Sequence, residues 1–312
     1  MTRFKTKTVA LAIPLVLAAG TGFVYRRVLA TSFEDLSLKR NGSVCSWAQA
    51  ASAAWVDRDL RKEVIGLKSG LVVEKKDPAL GIERLRTPER SFWISASGAA
   101  MPGPHLLAYL LAEQRQLLRG NRDEYVRRGD IVFDCGAHVG VYTHMALRQG
   151  AAKVIAVEPE PVNLECLRRN FAPEIQEGRV VVIPKGVWDS TGTLEMHEGL
   201  ENSGTSSLVR DQGGKSFKIE VTTIDSIVRE LNLPRVDYIK MDIEGAERNA
   251  LRGALETLRH WRPRLMMDNY HRPDDSAVLP AIVRSAYPDY AQTCSFCEAE
   301  AGRILPHVVF YH

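Results

Sequence analysis

Four short stretches of the chain put chemically useful side chains at the ends of apolar runs. Asp134-Cys135-Gly136-Ala137-His138-Val139-Gly140 follows Ile131–Phe133. Glycine at 136 and 140 lets the backbone bend sharply and come close to a ligand that a Cβ would exclude. Glu158-Pro159 closes the next apolar run, 22 positions after Gly136. An acidic residue at this place accepts hydrogen bonds from ribose hydroxyls. In Asp237-Tyr238-Ile239-Lys240-Met241-Asp242-Ile243-Glu244-Gly245, apolar residues alternate with Lys240 and Asp242, so carboxylates fall at a strand exit and a helix entry. Glu244 suits a helix N-terminus, whose dipole it offsets. The last stretch, Asp268-Asn269-Tyr270-His271, follows Leu265–Met267.

A glycine turn joined to a correctly spaced acidic residue points to a nucleotide. A dinucleotide fingerprint requires G-x-G-x-x-G to seat a pyrophosphate on a helix N-terminus. Here Ala137-His138-Val139 separate the two glycines and no third glycine follows within the first helical turn, so NAD is the second choice. Asp134 opens the turn with a carboxylate suited to an ammonium group. That favours a zwitterionic amino-acid tail, as in S-adenosyl-L-methionine. Methyl transfer from a sulfonium asks the protein mainly for in-line positioning. An alkyl hydroxyl acceptor must also lose its proton as attack proceeds. Asp242, His271 and His138 are the candidate bases; location at strand ends favours Asp242 or His271. No resident metal is expected, although Asp242, Glu244 and His271 together offer ligands for a divalent cation.

The elements that carry these residues alternate. Strand candidates are Ile131–Phe133, Lys153–Val157, Val180–Ile183, Val236–Met241 and Leu265–Met267. Between them Val141–Gln149, Pro161–Asn170, Ile224–Leu231 and Ala246–His260 read as helices, the last with Ala250, Leu251, Ala254, Leu255 and Leu258 on one face. This order predicts an α/β fold with a doubly wound, mostly parallel, Rossmann-like sheet, and ligands bind beyond the strands' C-terminal ends. Asn202–Gly214, polar and glycine-rich, reads as a loop over the substrate. Upstream, Ala48–Leu60 and Leu106–Leu118 read as helices, Arg90–Ser95 holds a short strand-like run, and residues 26–120 form a helical N-terminal extension or cap on a domain spanning 121–312.

Three strings together resemble the FkbM-type methyltransferases: Asp134 through Thr143, Val157-Glu158-Pro159, and Ile239-Lys240-Met241-Asp242-Ile243-Glu244-Gly245-Ala246-Glu247. Gly186-Val187-Trp188-Asp189, Gly204-Thr205-Ser206-Ser207 and Val221-Thr222-Thr223-Ile224-Asp225 extend the likeness over roughly residues 120–312. The resemblance implies a class I methyltransferase fold and S-adenosyl-L-methionine-dependent O-methylation of a hydroxylated acceptor: a sugar, a glycan or a secondary metabolite. It places the cofactor against Asp134, Gly136, Ala137, His138, Gly140, Tyr142, Glu158, Pro159, Gly186 and Val187, with Asp242 and His271 as catalytic residues. The chain departs from the family pattern at His138, often asparagine, and at Asn269-Tyr270-His271, where an acidic residue usually stands two before the histidine.

The formal charge is +3, but Arg3, Lys5, Lys7, Arg26 and Arg27 precede the first acidic residue, Glu34, and the remainder carries −2 without them. A near-neutral body has no electrostatic footprint for nucleic acid. After a basic tail (residues 1–8), Val9–Tyr25 is apolar and uncharged; as a helix from Thr8 it spans about 27 Å, enough for a thin bilayer. A membrane anchor is the expectation, ahead of a cleaved signal. The basic excess before it leaves the tail in the cytosol and the body on the other side. Five cysteines at Cys45, Cys135, Cys166, Cys294 and Cys297 do not make a disulfide scaffold. Cys294 and Cys297 are expected as ordinary thiols, ahead of a local disulfide or a metal site completed by His271 or His307.

Overall fold

The computed structural model describes residues 45–119, 124–211, 213–300 and 303–312, so the anchor expected at 9–25 lies outside the described residues. Among those, no helix is long and apolar enough to cross a membrane. The chain starts with helix α1 (Trp47–Gly70), strands β1 (Val72–Asp77), β2 (Ile82–Arg86) and β3 (Ser91–Ser95), and helix α2 (Gly103–Leu117). Next come β4 (Ile131–Cys135), α3 (Val141–Gln149), β5 (Lys153–Val157), α4 (Pro161–Asn170), α5 (Ala172–Gln176) and β6 (Val180–Ile183). A small sheet of β7 (Gly186–Val187), β8 (Gly192–Gly199) and β9 (Gly213–Thr222) leads to α6 (Ile224–Glu230) and β10 (Tyr238–Met241). Helices α7 (Glu247–Arg252) and α8 (Leu255–Trp261), β11 (Arg264–Met267) and α9 (Asp275–Ala286) follow. The chain closes with β12 (Gln292–Cys294), the hairpin β13 (Cys297–Glu300) and β14 (Arg303–Pro306), and β15 (Val309–Tyr311).

The central sheet has the order β12-β15-β11-β10-β4-β5-β6. All its strands run parallel except β15, which lies antiparallel between β12 and β11. Side chains alternate across it, as the two-residue repeat of a strand requires. Phe133, Cys135, Ile155, Ile239 and Met241 pack with α6, α7, α8 and α9 on one face. Val132, Val154, Tyr238 and Met266 bury on the other, beneath Tyr142 and Ala146 of α3. The five strands read from sequence are all present. Strands β12 and β15, three residues each, are too short to carry a pattern of their own.

The N-terminal extension is not simply helical. Its antiparallel β1-β2-β3 sheet includes the strand-like run read at Arg90–Ser95, but β1 escaped the sequence because it is exposed on almost every residue and shows no alternation. In α1, Ser46 and Gln49 form a reciprocal capping box, and Leu60, Val64 and Leu67 bury a stripe in the same cluster as Leu107 and Leu111 of α2. Asn170, at the end of α4, fastens this unit to the glycine turn. Its amide oxygen accepts from Trp93 N at 2.6 Å, and its nitrogen donates to Trp93 O (3.0 Å) and Val139 O (2.9 Å).

Two further expectations change. The single helix over Ala246–His260 is two, α7 and α8, separated at Gly253-Ala254. The Gly253 carbonyl accepts from Asp225 N (3.0 Å), and the Asp225 carboxylate takes the free N–H groups of Glu256 and Thr257, which caps a new helix. Cys297 is not a free thiol: it is bonded to Cys45, 252 residues away, while Cys135, Cys166 and Cys294 stay reduced. The bond ties the start of α1 to the C-terminal hairpin. Full-length wild-type chain unfolded without reductant should therefore titrate three thiols, and Cys297→Ser should lose about 2–4 kcal/mol in a denaturant titration. Five titratable thiols in the wild type would contradict the bond.

Candidate active site

The exits of β4, β5, β10 and β11 meet at one cavity of about 210 Å³. Gly136 and Ala137 donate their N–H groups to Val157 O, 3.0 Å each, which bends the turn over β5. Gly136 sits at φ +75°, and a Cβ there would lie 1.9 Å from the carbonyl oxygen of Asp242. Only glycine lets the exits of β4 and β10 come this close. At Gly140, φ +90°, the space a side chain would need is filled by the Phe171 ring.

Glu158 does two jobs. One carboxylate oxygen accepts from His138 N at 2.8 Å and the other from Glu160 N at 2.9 Å, so it fixes the glycine turn and the start of α4 while facing the cavity. Burial pushes its carboxyl up to about 7 against the pull of those two N–H groups. The His138 ring reaches Ser203 Oγ at 2.8 Å and so joins the turn to the loop between β8 and β9. Burial lowers this imidazole to about 4, which keeps it neutral.

Lys240 is the buried cation of the site, 7% exposed. Its Nζ donates to Gly136 O at 3.1 Å and lies 3.6 Å from both Asp134 Oδ1 and Asp242 Oδ2. Burial opposes its charge, but the Asp242 and Asp134 carboxylates hold it above the usual lysine range. Asp134 is fully buried, accepts from Thr143 Oγ1 at 2.7 Å, and does not line the cavity. Lys240, which does line the cavity, is the charged group that links Asp134 to its wall.

At the β11 exit, His271 Nδ1 pairs with Glu247 Oε1 at 2.9 Å, the same oxygen that accepts from Ile243 N. His271 Nε2 lies 3.7 Å from Glu244 Oε2 and 3.9 Å from Asp268 Oδ2. Burial disfavours its charge, but Glu247, Asp268 and Glu244 raise it to about 10, so the imidazole is cationic at neutral pH. Burial pushes the Glu244 carboxyl up to about 7 against His271 and Arg210. Burial likewise opposes the charge on Asp242, yet Lys240 and His271 hold it below the usual carboxylate range.

Of the residues singled out from sequence, Gly136, Ala137, His138, Tyr142, Glu158, Pro159, Gly186, Val187 and Asp242 line the cavity; Asp134, Gly140 and His271 do not. Asn202–Ser206 and Leu208, from the polar loop, also line it. Asp268 and Tyr270, from the stretch that follows Leu265–Met267, line it too, but Leu106, Tyr109 and Glu113 of α2 were not read from sequence as site residues. The apolar stripe of α2 explains its burial, and nothing in its spacing marks Glu113 as facing a ligand.

The model for the methyltransferase FkbM domain matches residues 134–296. Methyltransferase sdnD of Sordaria araneosa is 27% identical over 161 residues, 42% of this chain and 61% of that protein. Hexuronic acid methyltransferase AglP of Haloferax volcanii is 26% identical over 147 residues, 45% of this chain and 59% of that protein. The chain thus spans about three fifths of the length of the curated relatives it matches. The crystal structure of methyltransferase FkbM from Methylobacillus flagellatus KT superposes with a TM-score of 0.45 at 18% identity, covering 84% of this chain and 60% of that one. The family match takes in more than half of the chain, including the glycine turn, Glu158 and the Lys240–Asp242 exit, and the chain belongs to the FkbM methyltransferase domain family.

Proposed function

We propose that the chain is an S-adenosyl-L-methionine-dependent O-methyltransferase acting on a hydroxyl of a sugar, glycan or secondary metabolite, and that its N-terminal segment tethers it to a membrane. One observation carries the reading: the glycine turn after β4, Glu158 after β5 and Asp242 after β10 face one cavity. The residues fit the cofactor. Each Glu158 oxygen spends one acceptor site on a backbone N–H and keeps another for a ribose hydroxyl. Carboxylates Glu158, Glu160, Asp242 and Glu244 outnumber Lys185 and Lys240 around the cavity, which suits a cationic sulfonium. Gly136, Ala137, His138, Tyr142, Pro159, Gly186 and Val187 complete the binding wall, with Asp134 supporting it through Lys240 and Gly140 through Phe171. The bound cofactor supplies an activated methyl group.

The chain's own task is to position the acceptor and take its proton. Asp242 is the base: it lines the cavity, its side chain is 39% exposed, and its carboxylate is held ionised. His271 is cationic and off the cavity wall, so it holds Glu247 and Glu244 in place instead. The named similarity to a hexuronic acid methyltransferase supports a sugar hydroxyl as acceptor. The Cys45–Cys297 bond supports a catalytic domain on the oxidising, non-cytosolic side of the membrane, where the basic tail would leave it.

Calorimetry on the full chain should give saturable binding of S-adenosylhomocysteine and none of NAD; NAD binding alone would overturn the assignment. Glu158→Gln should weaken S-adenosylhomocysteine at least tenfold. Above about 7 the Glu158 carboxylate is ionised and accepts hydroxyl hydrogens; below it the carboxyl is protonated and loses that capacity. Affinity should therefore fall as pH drops through 7, with proton release on binding near that pH, and Glu158→Gln should abolish both effects. With labelled cofactor and a panel of alkyl hexosides and hexuronides, Asp242→Asn should cut transfer to the best acceptor by about 10²–10⁴-fold. S-adenosylhomocysteine affinity should stay within threefold, and unchanged transfer would remove Asp242 as the base.

A further inference from the structure

One cluster, of which Asp242 and Asp268 line the cavity and His271 does not, can do more than the reading above asks of it. Ligand atoms of Asp242, Asp268 and His271 all lie within 4.8 Å of one another. Around an ion with bonds of about 2.1–2.4 Å, ligand atoms stand about 3–4.8 Å apart, so the three groups already occupy the span of one coordination sphere. The His271 side chain is 4% exposed, and its Nδ1 is fixed by Glu247 Oε1 at 2.9 Å. Its Nε2 points at carboxylate oxygens 3.7 and 3.9 Å away, too far for hydrogen bonds, and accepts or donates none among the described residues. A ring nitrogen left open toward carboxylates while the other is oriented by a buried carboxylate is the arrangement of a metal-bound histidine and its outer partner. Lys240 takes one side of Asp242, 3.6 Å from Oδ2, and leaves the side facing Asp268.

We propose that Asp242, Asp268 and His271 bind a divalent cation of the Mg²⁺/Mn²⁺ class. Two carboxylates and one imidazole give a mostly oxygen ligand set, which suits these ions, and the positions toward the cavity stay open. His271 Nε2 gives up its proton when it ligates. An acceptor hydroxyl on the open side of the ion would be held near Asp242 and lose its proton more readily. That catalytic consequence rests on the methyltransferase reading; the existence of the site does not.

Mn²⁺ alone is the probe. Full-length chain should bind one Mn²⁺ saturably with a dissociation constant below about 1 mM, and electron spin-echo spectra should carry the nitrogen modulation of one imidazole. His271→Gln, whose amide can still donate to Glu247, should lose the modulation. Asp268→Asn should weaken Mn²⁺ at least tenfold, and both variants should keep S-adenosylhomocysteine binding as the measure of an intact fold. The wild-type spectrum is informative by itself if either variant fails to fold. Wild-type protein that binds S-adenosylhomocysteine but shows no saturable Mn²⁺, or no imidazole modulation, overturns the cation site and leaves the donor reading intact. Modulation persisting in His271→Gln also overturns it. Mn²⁺ bound as described by protein that ignores S-adenosylhomocysteine keeps the site and removes the donor reading.

Discussion

The buried ammonium of Lys240 is the interaction on which the strand exits depend. Lys240 stands in register with Asp134 across the β10–β4 pair, and its Nζ is shared among Asp134, Asp242 and the Gly136 carbonyl. A single charge in such a place costs several kcal/mol of lost hydration, and breaking a buried pair by removing one partner costs about 3–5 kcal/mol. Asp134, Asp242 and the Gly136 carbonyl each offset part of that cost. The geometry follows: Gly136 must lack a side chain so that its turn can lie on the Asp242 carbonyl, and that closeness brings its own carbonyl to the ammonium. The glycine that looks like a ligand-binding device is first a condition for the ion cluster beneath it.

A second layer of charge rests on this one. Asp242 remains ionised because Lys240 and His271 flank it, and His271 is oriented by Glu247, which is fully buried and also holds the backbone after β10. Position and protonation are set together here. The same carboxylate that turns the imidazole keeps it charged, and the same lysine that seats the glycine turn keeps Asp242 able to accept a proton.

What could be read from sequence was what is decided locally. The apolar runs of β4, β5, β6, β10 and β11 and the glycine turn announce themselves over four to seven residues, and they fix the sheet and the place of the cavity. Features set by distant partners stayed hidden. The sequence places Asp134 at the mouth of the turn but does not show that it is buried against Lys240, off the cavity wall. It does not pair Cys45 with Cys297, because the nearer partner by spacing is Cys294. The break between α7 and α8 depends on Asp225, thirty residues upstream, supplying a cap that the helical pattern of 246–260 cannot reveal. Strand β1 failed for the opposite reason: it buries too little to leave a signal.

The family match covers only part of the cavity. The family match begins at 134 and ends at 296, and the residues assigned to the cofactor all fall inside it. Leu106, Tyr109 and Glu113, which close the opposite wall, lie outside it on α2. Glu113 in turn pairs with His307 Nε2 at 2.9 Å, also outside the match, and Gln49 of α1 donates to Ser295 O at 2.9 Å beside the Cys45–Cys297 bond. The N-terminal extension and the C-terminal strands are thus joined behind the α2 side of the cavity by the Glu113–His307 contact and by a covalent link. Relatives at 26–27% identity align over less than half of this chain. Leu106, Tyr109 and Glu113 lie outside the matched segment, whereas Lys240 is held by Asp134, Asp242 and the Gly136 carbonyl inside it, so this side of the cavity can vary without disturbing the cluster that seats the glycine turn.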